Sequence, residues 1–221
     1  MHRDAPARRI FGNAEPQLRE SVFRADPRRR SVQAFARRFG YDEPRARQVA
    51  RLALNLFDAT RRLHRFGLRE RELLEFAALL HDVGRAVSHT KHHKHSYYLI
   101  RHGALEGFAP EEVQVIAAIA RFHRGSPPKP SNDEIEELPS GARDTVIRLA
   151  AILRVAEILY RSRGDVMRNL FVLHRGRLIR IYVDAVRGDA GAYLGEASDE
   201  AELWRQAFDV RMEVKLRRKK A

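Results

Sequence analysis

Apolar residues recur at every third or fourth position through residues 31–164. Two clear runs of this kind are Val32, Phe35, Ala36 and Phe39, and Val146, Leu149, Ile152 and Leu153. This spacing places the apolar side chains on one face of an α-helix and does not match the two-residue repeat of a strand. Because each such face must be buried against another, the pattern predicts a bundle of packed helices.

Glycine and proline divide this region into separate segments. We predict helices over residues 31–39, 44–66, 69–82, 94–102, 110–122 and 142–161, with a proline-rich loop at 125–140. After Gly164 the pattern changes to a hairpin at 170–183, a helix at 198–207 and a strand at 210–216. The predicted fold class is therefore mainly α, a helical bundle followed by a small α+β appendage.

The predicted domain organisation has four parts. Residues 1–30 form a partly flexible leader with a short helical piece at 17–23, and residues 31–164 form the helical domain. Residues 165–216 form the small α+β subdomain, and residues 217–221 a disordered basic tail.

The charge balance is strongly basic, with 42 Lys and Arg against 29 Asp and Glu and a net charge of +13. Such an excess predicts a polyanionic partner, although a basic protein from an arginine-rich genome is the alternative. Nucleic acid is supported by charge alone, without a recognition motif. The chain has no cysteine, no apolar run of the ~20 residues that span a bilayer, and no signal-peptide pattern. We therefore expect a cytoplasmic protein without membrane contact.

A cluster of histidines carries the candidate chemistry. His81 and Asp82 are adjacent and precede Gly84, and five of the ten histidines fall between positions 81 and 95. An imidazole and a carboxylate from one rigid segment are the ligand mixture of a hydrolytic divalent metal. The alternatives are a helix C-cap for the His-Asp pair and a solvated basic turn for the histidine-lysine run.

Helix ends bring further candidates. His123 ends the predicted fifth helix, and Glu157 borders the buried face of the last one. We predict His81, Asp82, His123 and Glu157 as metal ligands, with His81 and Asp82 as the catalytic pair. Glu157 could instead pair with Arg154 or Arg161 on its own helix. The predicted phosphate-binding residues are Arg45, Lys91, His92, His93, Lys94, His95, Arg121 and Arg124.

These motifs resemble a known family. His81-Asp82 with His123 is similar to the HD-domain phosphohydrolase superfamily. More narrowly, the chain resembles the C-terminal HD-type region of the exopolyphosphatase/guanosine pentaphosphate phosphatase (Ppx/GppA) family over about residues 17–215. The matching segments are residues 18–20, 46–58, 77–84, 92–100, 107–108, 121–124 and 149–157. The His92–Tyr97 run is the most specific of them.

The resemblance implies an HD-type helical bundle, a divalent metal (Mn or Mg) and a phosphorylated substrate. Two positions depart from the pattern of metal-binding HD proteins: Arg45 stands where they carry a first histidine, and Glu157 where they carry an aspartate. Full-length family members also carry two actin-like catalytic domains, and nothing of that kind is present in these 221 residues. In the whole enzymes the similar region lines a basic channel for polyphosphate and helps dimerisation.

The resemblance leaves two functions open. The first is a stand-alone phosphohydrolase-like protein that acts on polyphosphate or (p)ppGpp-like nucleotides, with water activated by a metal. The second is a non-catalytic polyphosphate- or nucleotide-binding module, or one subunit of a split exopolyphosphatase with a separate actin-like catalytic subunit. A homodimer is the assembly that the resemblance implies.

Overall fold

The computed structural model describes residues 26–161, 170–184 and 201–217. The helices of its first part are α1 Pro27–Arg38, α2 Glu43–Ala59, α3 Arg61–His64, α4 Leu68–Leu80, α5 His92–His102, α6 Pro110–Arg121, α7 Asp133–Glu136 and α8 Ala142–Arg161, with a 3-10 turn at Val83–Ala86. The second part contains β1 Leu170–Arg175, β2 Leu178–Asp184, α9 Ala201–Phe208 and β3 Arg211–Arg217. The predicted mainly helical fold with a small α+β part is confirmed.

Helix α8 is the central element of the bundle. Every residue from Leu149 to Leu159 is buried, as expected for a helix surrounded by others rather than lying on a surface. It contacts α2, α4, α6 and α9, and α2 also packs along α4. Polar side chains that α8 carries in this stretch, including Glu157, are therefore held inside the protein.

The three strands form one sheet in the order β1-β2-β3. Strands β1 and β2 are an antiparallel hairpin, as predicted, and β3 runs parallel to β2. Ile179, Ile181 and Val183 of β2 are buried, and Trp204 of α9 is fully buried beside them in the same core cluster. Because α9 contacts both β3 and α8, it joins the sheet to the bundle.

Several predicted boundaries differ from the structure. Helix α1 begins at Pro27, inside the predicted leader, because the Asp26 side chain accepts the Arg28 N–H and caps the helix with proline at its first position. The predicted helix 44–66 breaks at Thr60, whose hydroxyl donates to the Leu56 carbonyl at 2.7 Å, and the chain then forms the separate short α3. The final strand continues through Arg217, the first residue of the predicted tail.

The remaining segments complete the comparison with the sequence. Helix α5 begins at His92, two residues before the predicted start, and the proline-rich loop contains the short α7. The helix 17–23, the boundary at 164/165 and residues 218–221 lie outside the described residues, so the predicted division into domains stays a prediction. No helix in the described ranges combines the length and the apolarity that crossing a bilayer requires.

Candidate metal and phosphate site

The His-Asp pair lies where α4 ends. His81 is the C-cap and keeps a helical backbone conformation, whereas Asp82 leaves it at φ −104° and ψ 2° and leads into the 3-10 turn. Both side chains are buried, His81 completely. The predicted position of the pair at the C-terminal end of a helix is therefore confirmed.

Gly84 allows α5 to pack directly on this turn. A Cβ atom at Gly84 would lie 2.2 Å from the His92 carbonyl oxygen and 2.3 Å from the Ser96 nitrogen. The Gly84 N–H donates to Ser96 Oγ at 2.9 Å, and the Ser96 hydroxyl donates to the His81 carbonyl at 2.6 Å. This close packing brings the N-terminus of α5, and with it His92, beside Asp82.

Three histidine rings direct the same nitrogen, Nδ1, at a backbone carbonyl. In His81, His92 and His123 the Nδ1 atom lies 2.6, 3.0 and 2.6 Å from the backbone carbonyl three residues earlier. A carbonyl only accepts hydrogen bonds, so these contacts assign the proton to Nδ1 in each ring. Each ring thus directs Nε2 away from the backbone, and in its neutral form it presents the Nε2 lone pair, which is the arrangement found in metal-binding histidines.

The Nε2 atoms converge on Asp82. His92 Nε2 lies 3.2 Å and His123 Nε2 3.8 Å from Asp82 Oδ1, while His81 Nε2 lies 3.6 Å from Oδ2. One ligand atom from each of His81, Asp82 and His123 falls within 4.8 Å of the others. Arg154 of α8 holds the backbone after His123 by donating to the Gly125 carbonyl at 2.9 Å. The structure thus groups three of the four predicted ligands, adds His92, and places the fourth, Glu157, in contact with His81.

Glu157 and Arg45 occupy the other side of the pair. Glu157 Oε2 lies 3.4 Å from His81 Nε2. Arg45, on α2, donates from Nε to Asp82 Oδ2 at 2.9 Å and from a terminal nitrogen to Glu157 Oε1. Its guanidinium also lies over the Tyr160 ring, 4.8 Å from the centroid. The guanidinium that we predicted to bind phosphate is therefore placed between two carboxylates of the protein itself.

Burial and neighbouring charges oppose each other in setting the pKa values of Asp82 and Glu157, and they act together on the pKa of His123. Burial raises the pKa of Asp82, but His81 and the other positive neighbours outweigh it and hold the pKa well below its usual range. The pKa of Glu157 is likewise lowered, against burial, by His81 and Arg45. Burial and the charge of His81 lower the pKa of His123 well below its ordinary value, so His123 is neutral near pH 7. Both carboxylates are ionised, which suits cation binding.

The predicted phosphate-binding residues divide into an inner and an outer group. Arg45, His92 and Arg121 are held by internal contacts, and Arg121 Nε donates to Glu134 at 2.8 Å. The outer group, which we name the basic rim, consists of Lys91, His93, Lys94, His95 and Arg124, all exposed or half-buried. Burial first, and then Arg121 and neighbouring cations, lower the pKa of His93 to about 4.

The donor atoms fit a divalent cation. His81 Nε2, Asp82 Oδ1 and Glu157 Oε2 are buried and lack a well-aligned hydrogen bond within the described part of the chain. Leaving such atoms unsatisfied costs about 1–3 kcal/mol each. Imidazole nitrogens and carboxylate oxygens that share a small buried space are ligands for which a cation supplies the missing interaction.

Sequence reasoning missed three contributors to this site. Arg85 Nε lies 2.9 Å from Asp82 Oδ2, Ser96 links α5 to the His81 carbonyl, and His92 belongs to the cluster rather than to the rim. A signal for two of them was present: His92, Ser96 and Ile100 recur at four-residue spacing and are all buried. No comparable pattern marks Arg85.

These features define a helical domain with a small α+β extension and a buried histidine–carboxylate centre at the meeting point of several helices. Residues 28–177 match the family model described as Ppx/GppA phosphatase, domain III. The chain therefore belongs to the Ppx/GppA phosphatase family, as its motifs predicted.

A curated relative supports the same assignment. It is a guanosine-5'-triphosphate,3'-diphosphate pyrophosphatase from Pseudoalteromonas translucida (strain TAC 125), 32% identical over 165 residues. The alignment covers 70% of this chain and 32% of the relative, so the chain spans about a third of the length of the curated protein that it matches.

Proposed function

We propose that this chain is a phosphohydrolase-like protein that acts on phosphoanhydrides, either polyphosphate or a guanosine nucleotide of the (p)ppGpp type. The observation that carries the proposal is the convergence of imidazole Nε2 atoms on the carboxylate of Asp82 inside the bundle. The family and the pyrophosphatase activity of the relative support a phosphorylated substrate.

The cluster would hold a divalent cation, Mn²⁺ or Mg²⁺, with His81, Asp82, His123 and Glu157 as the predicted ligands. Such an ion lowers the pKa of a bound water and orients a phosphoryl group. The protein's own contribution is to fix the ligands: carbonyls orient the imidazoles of His81 and His123, and the packing of α8 buries Glu157. Because these contacts already fix the side chains, binding a cation costs little of their conformational entropy.

The basic rim would bind the anionic substrate. Lys91 and Lys94 are exposed at the start of α5 and Arg124 just after the end of α6, next to His92 and His123 respectively. A net charge of +13 attracts polyanions over distances of about one Debye length, ~8 Å at physiological salt. The rim therefore offers phosphate contacts next to the cluster.

A phosphate-release assay tests the enzymatic proposal. The chain is incubated with medium-length polyphosphate, and separately with guanosine pentaphosphate, in Mn²⁺, in Mg²⁺ and in EDTA. We expect release that EDTA abolishes and that the Asp82→Asn variant loses, because that carboxylate borders all three imidazoles. Asp144→Asn is the matched control, since Asp144 is exposed and forms an ion pair with Arg148 on the surface of the same helix. Absence of release from both substrates with both cations contradicts the proposal.

Arg45 favours a second candidate, a non-catalytic module that binds polyphosphate or nucleotide. Its guanidinium already neutralises Asp82 and Glu157, so part of the site is satisfied without a metal. This candidate includes a subunit that works with a separate actin-like catalytic protein. It predicts polyphosphate binding that weakens with salt but survives EDTA. Binding that disappears on chelation contradicts it.

Self-association is a further part of the proposal. The resemblance implies a homodimer, and sedimentation of the purified chain with and without polyphosphate tests it. A monomer under both conditions contradicts the predicted dimer.

A further inference from the structure

We propose that the cluster holds one divalent cation on the side of Asp82 that faces His92 and His123, and that Arg45 serves as a fixed positive charge on the opposite side. The inference rests on the proposed metal site and sharpens it. It replaces Glu157 by His92 in the ligand set, and it limits the site to a single ion.

The carboxylate of Asp82 is divided between two environments. Its Oδ2 atom is contacted by two guanidinium groups, with Nε of Arg45 and Nε of Arg85 each at 2.9 Å. Its Oδ1 atom faces His92 Nε2 at 3.2 Å and His123 Nε2 at 3.8 Å. One oxygen is therefore neutralised by the protein, and the other is directed at nitrogen atoms.

The two nitrogens on the Oδ1 side also face each other. His92 Nε2 and His123 Nε2 are 3.3 Å apart, and both rings direct Nδ1 at a backbone carbonyl. Two lone pairs and a carboxylate oxygen at this separation repel one another unless a positive charge lies among them. A cation bound by all three atoms removes the repulsion and satisfies the buried Oδ1.

Glu157 belongs to the other side. Its Oε1 atom accepts from Arg45, and Arg161 Nε lies 3.9 Å from the same oxygen. An ion bound by Glu157 would lie next to the guanidinium of Arg45, and the charges of the divalent ion and the guanidinium repel each other at that separation. Arg45 thus excludes an ion from the space beside Glu157.

The ligand set determines which ions fit. His81, His92 and His123 offer nitrogen, and Asp82 offers one oxygen. Imidazole nitrogens suit first-row transition-metal ions, among which Mn²⁺ binds least tightly, whereas Mg²⁺ prefers oxygen ligands and keeps its waters. We therefore expect Mn²⁺ to bind in preference to Mg²⁺. A ligand set with the two carboxylates of Asp82 and Glu157 predicts no such preference.

Titration of the chelator-stripped chain with Mn²⁺ tests the inference, with free Mn²⁺ measured by its electron paramagnetic resonance signal. We expect one Mn²⁺ per chain and little displacement by excess Mg²⁺. Loss of even an outer partner weakens metal binding about 10–100-fold, so His92→Asn should weaken it by at least that factor. His102→Asn, a change at an exposed histidine at the other end of the same helix, should leave it unchanged, and Glu157→Gln should change it by less than about tenfold.

Pulsed electron paramagnetic resonance of the wild-type complex provides a readout that needs no variant. We expect nitrogen couplings from more than one imidazole. Absence of Mn²⁺ binding, absence of nitrogen couplings, or strong weakening by Glu157→Gln but not by His92→Asn would each overturn the inference. If Mn²⁺ binds as predicted but no phosphate is released, the result supports this inference and contradicts the enzymatic proposal. EDTA-resistant phosphate release by a chain that binds no Mn²⁺ overturns this inference and leaves phosphoanhydride hydrolysis standing.

Discussion

Replacing Gly84 by alanine should separate α5 from the His-Asp turn. The added Cβ would meet the His92 carbonyl oxygen at 2.2 Å, the Ser96 nitrogen at 2.3 Å and the His95 carbonyl carbon at 2.8 Å. All three are backbone atoms, so no side-chain rotation relieves the contact. To restore an ordinary contact of 3.4 Å the start of α5 must retreat by about 1.2 Å.

That retreat has two energetic consequences. Forcing a methyl group into a packed interior costs about 1–3 kcal/mol. The displacement also breaks or stretches the bonds from Gly84 N–H to Ser96 Oγ and from Ser96 to the His81 carbonyl, each worth about 1 kcal/mol. We therefore expect the free energy of unfolding to fall by about 3–5 kcal/mol. For a chain of this size that corresponds to a melting temperature roughly 6–20 °C lower.

Urea unfolding measures the first effect, and Mn²⁺ affinity measures the movement of His92 away from Asp82. Gly67→Ala is the matched control, because a Cβ there meets only Glu70 Oε2 at 3.6 Å. As an N-cap glycine it should cost less than about 1 kcal/mol. Ser96→Ala, which adds no volume, should lose about 1–3 kcal/mol. A Gly84→Ala protein within about 0.5 kcal/mol of wild type, with unchanged Mn²⁺ affinity, would refute this account of the turn.

Two further predictions concern the basic rim. The pKa of His93 is about 4 in the folded chain and near 6.5 when unfolded, so the unfolded state binds more protons between these values and stability should fall as the pH drops from about 6.5 to about 4. In the His93→Asn variant the unfolding midpoint should vary less between these pH values than in the wild type. An equal pH dependence of the variant and the wild type contradicts the lowered pKa of His93. The double variant Lys94→Ala/Arg124→Ala should bind polyphosphate more weakly and with a shallower dependence on salt, because two phosphate-contacting cations are lost. Arg61→Ala/Arg62→Ala, which removes two exposed arginines of α3, is the control, and equal weakening by both double variants would show that only net charge matters.

Local patterns predicted much of the fold. The bounds of α8 and the hairpin follow from apolar periodicity, which neighbouring residues determine. The break at Thr60 was missed because the apolar repeat continues through it, while the hydroxyl contact that ends α2 is not visible in the pattern. The cap at Asp26 and Pro27 was visible in the sequence as a helix start but was assigned to the leader.

The candidate site was predictable in composition but not in arrangement. The pairing of His81 with Asp82 follows from adjacency, and His123 from its place at a helix end. The position of Arg45 could not be deduced, because its contacts with Asp82 and Glu157 join residues 37 and 112 positions apart. The number of histidines in the run does not separate buried His92 from His93 on the rim, whereas the four-residue spacing of His92, Ser96 and Ile100 does.

By itself, the sequence determined the helical architecture, the basic charge, the family and the presence of a histidine–carboxylate centre, because periodicity and short motifs are properties of adjacent residues. Only the tertiary structure decided which groups meet in that centre. The packing of α5 on Gly84 places His92 beside Asp82, and the packing of α2 on α8 places Arg45 between the two carboxylates. Electrostatic interactions depend on distances in space, and those distances are set when separate helices pack together.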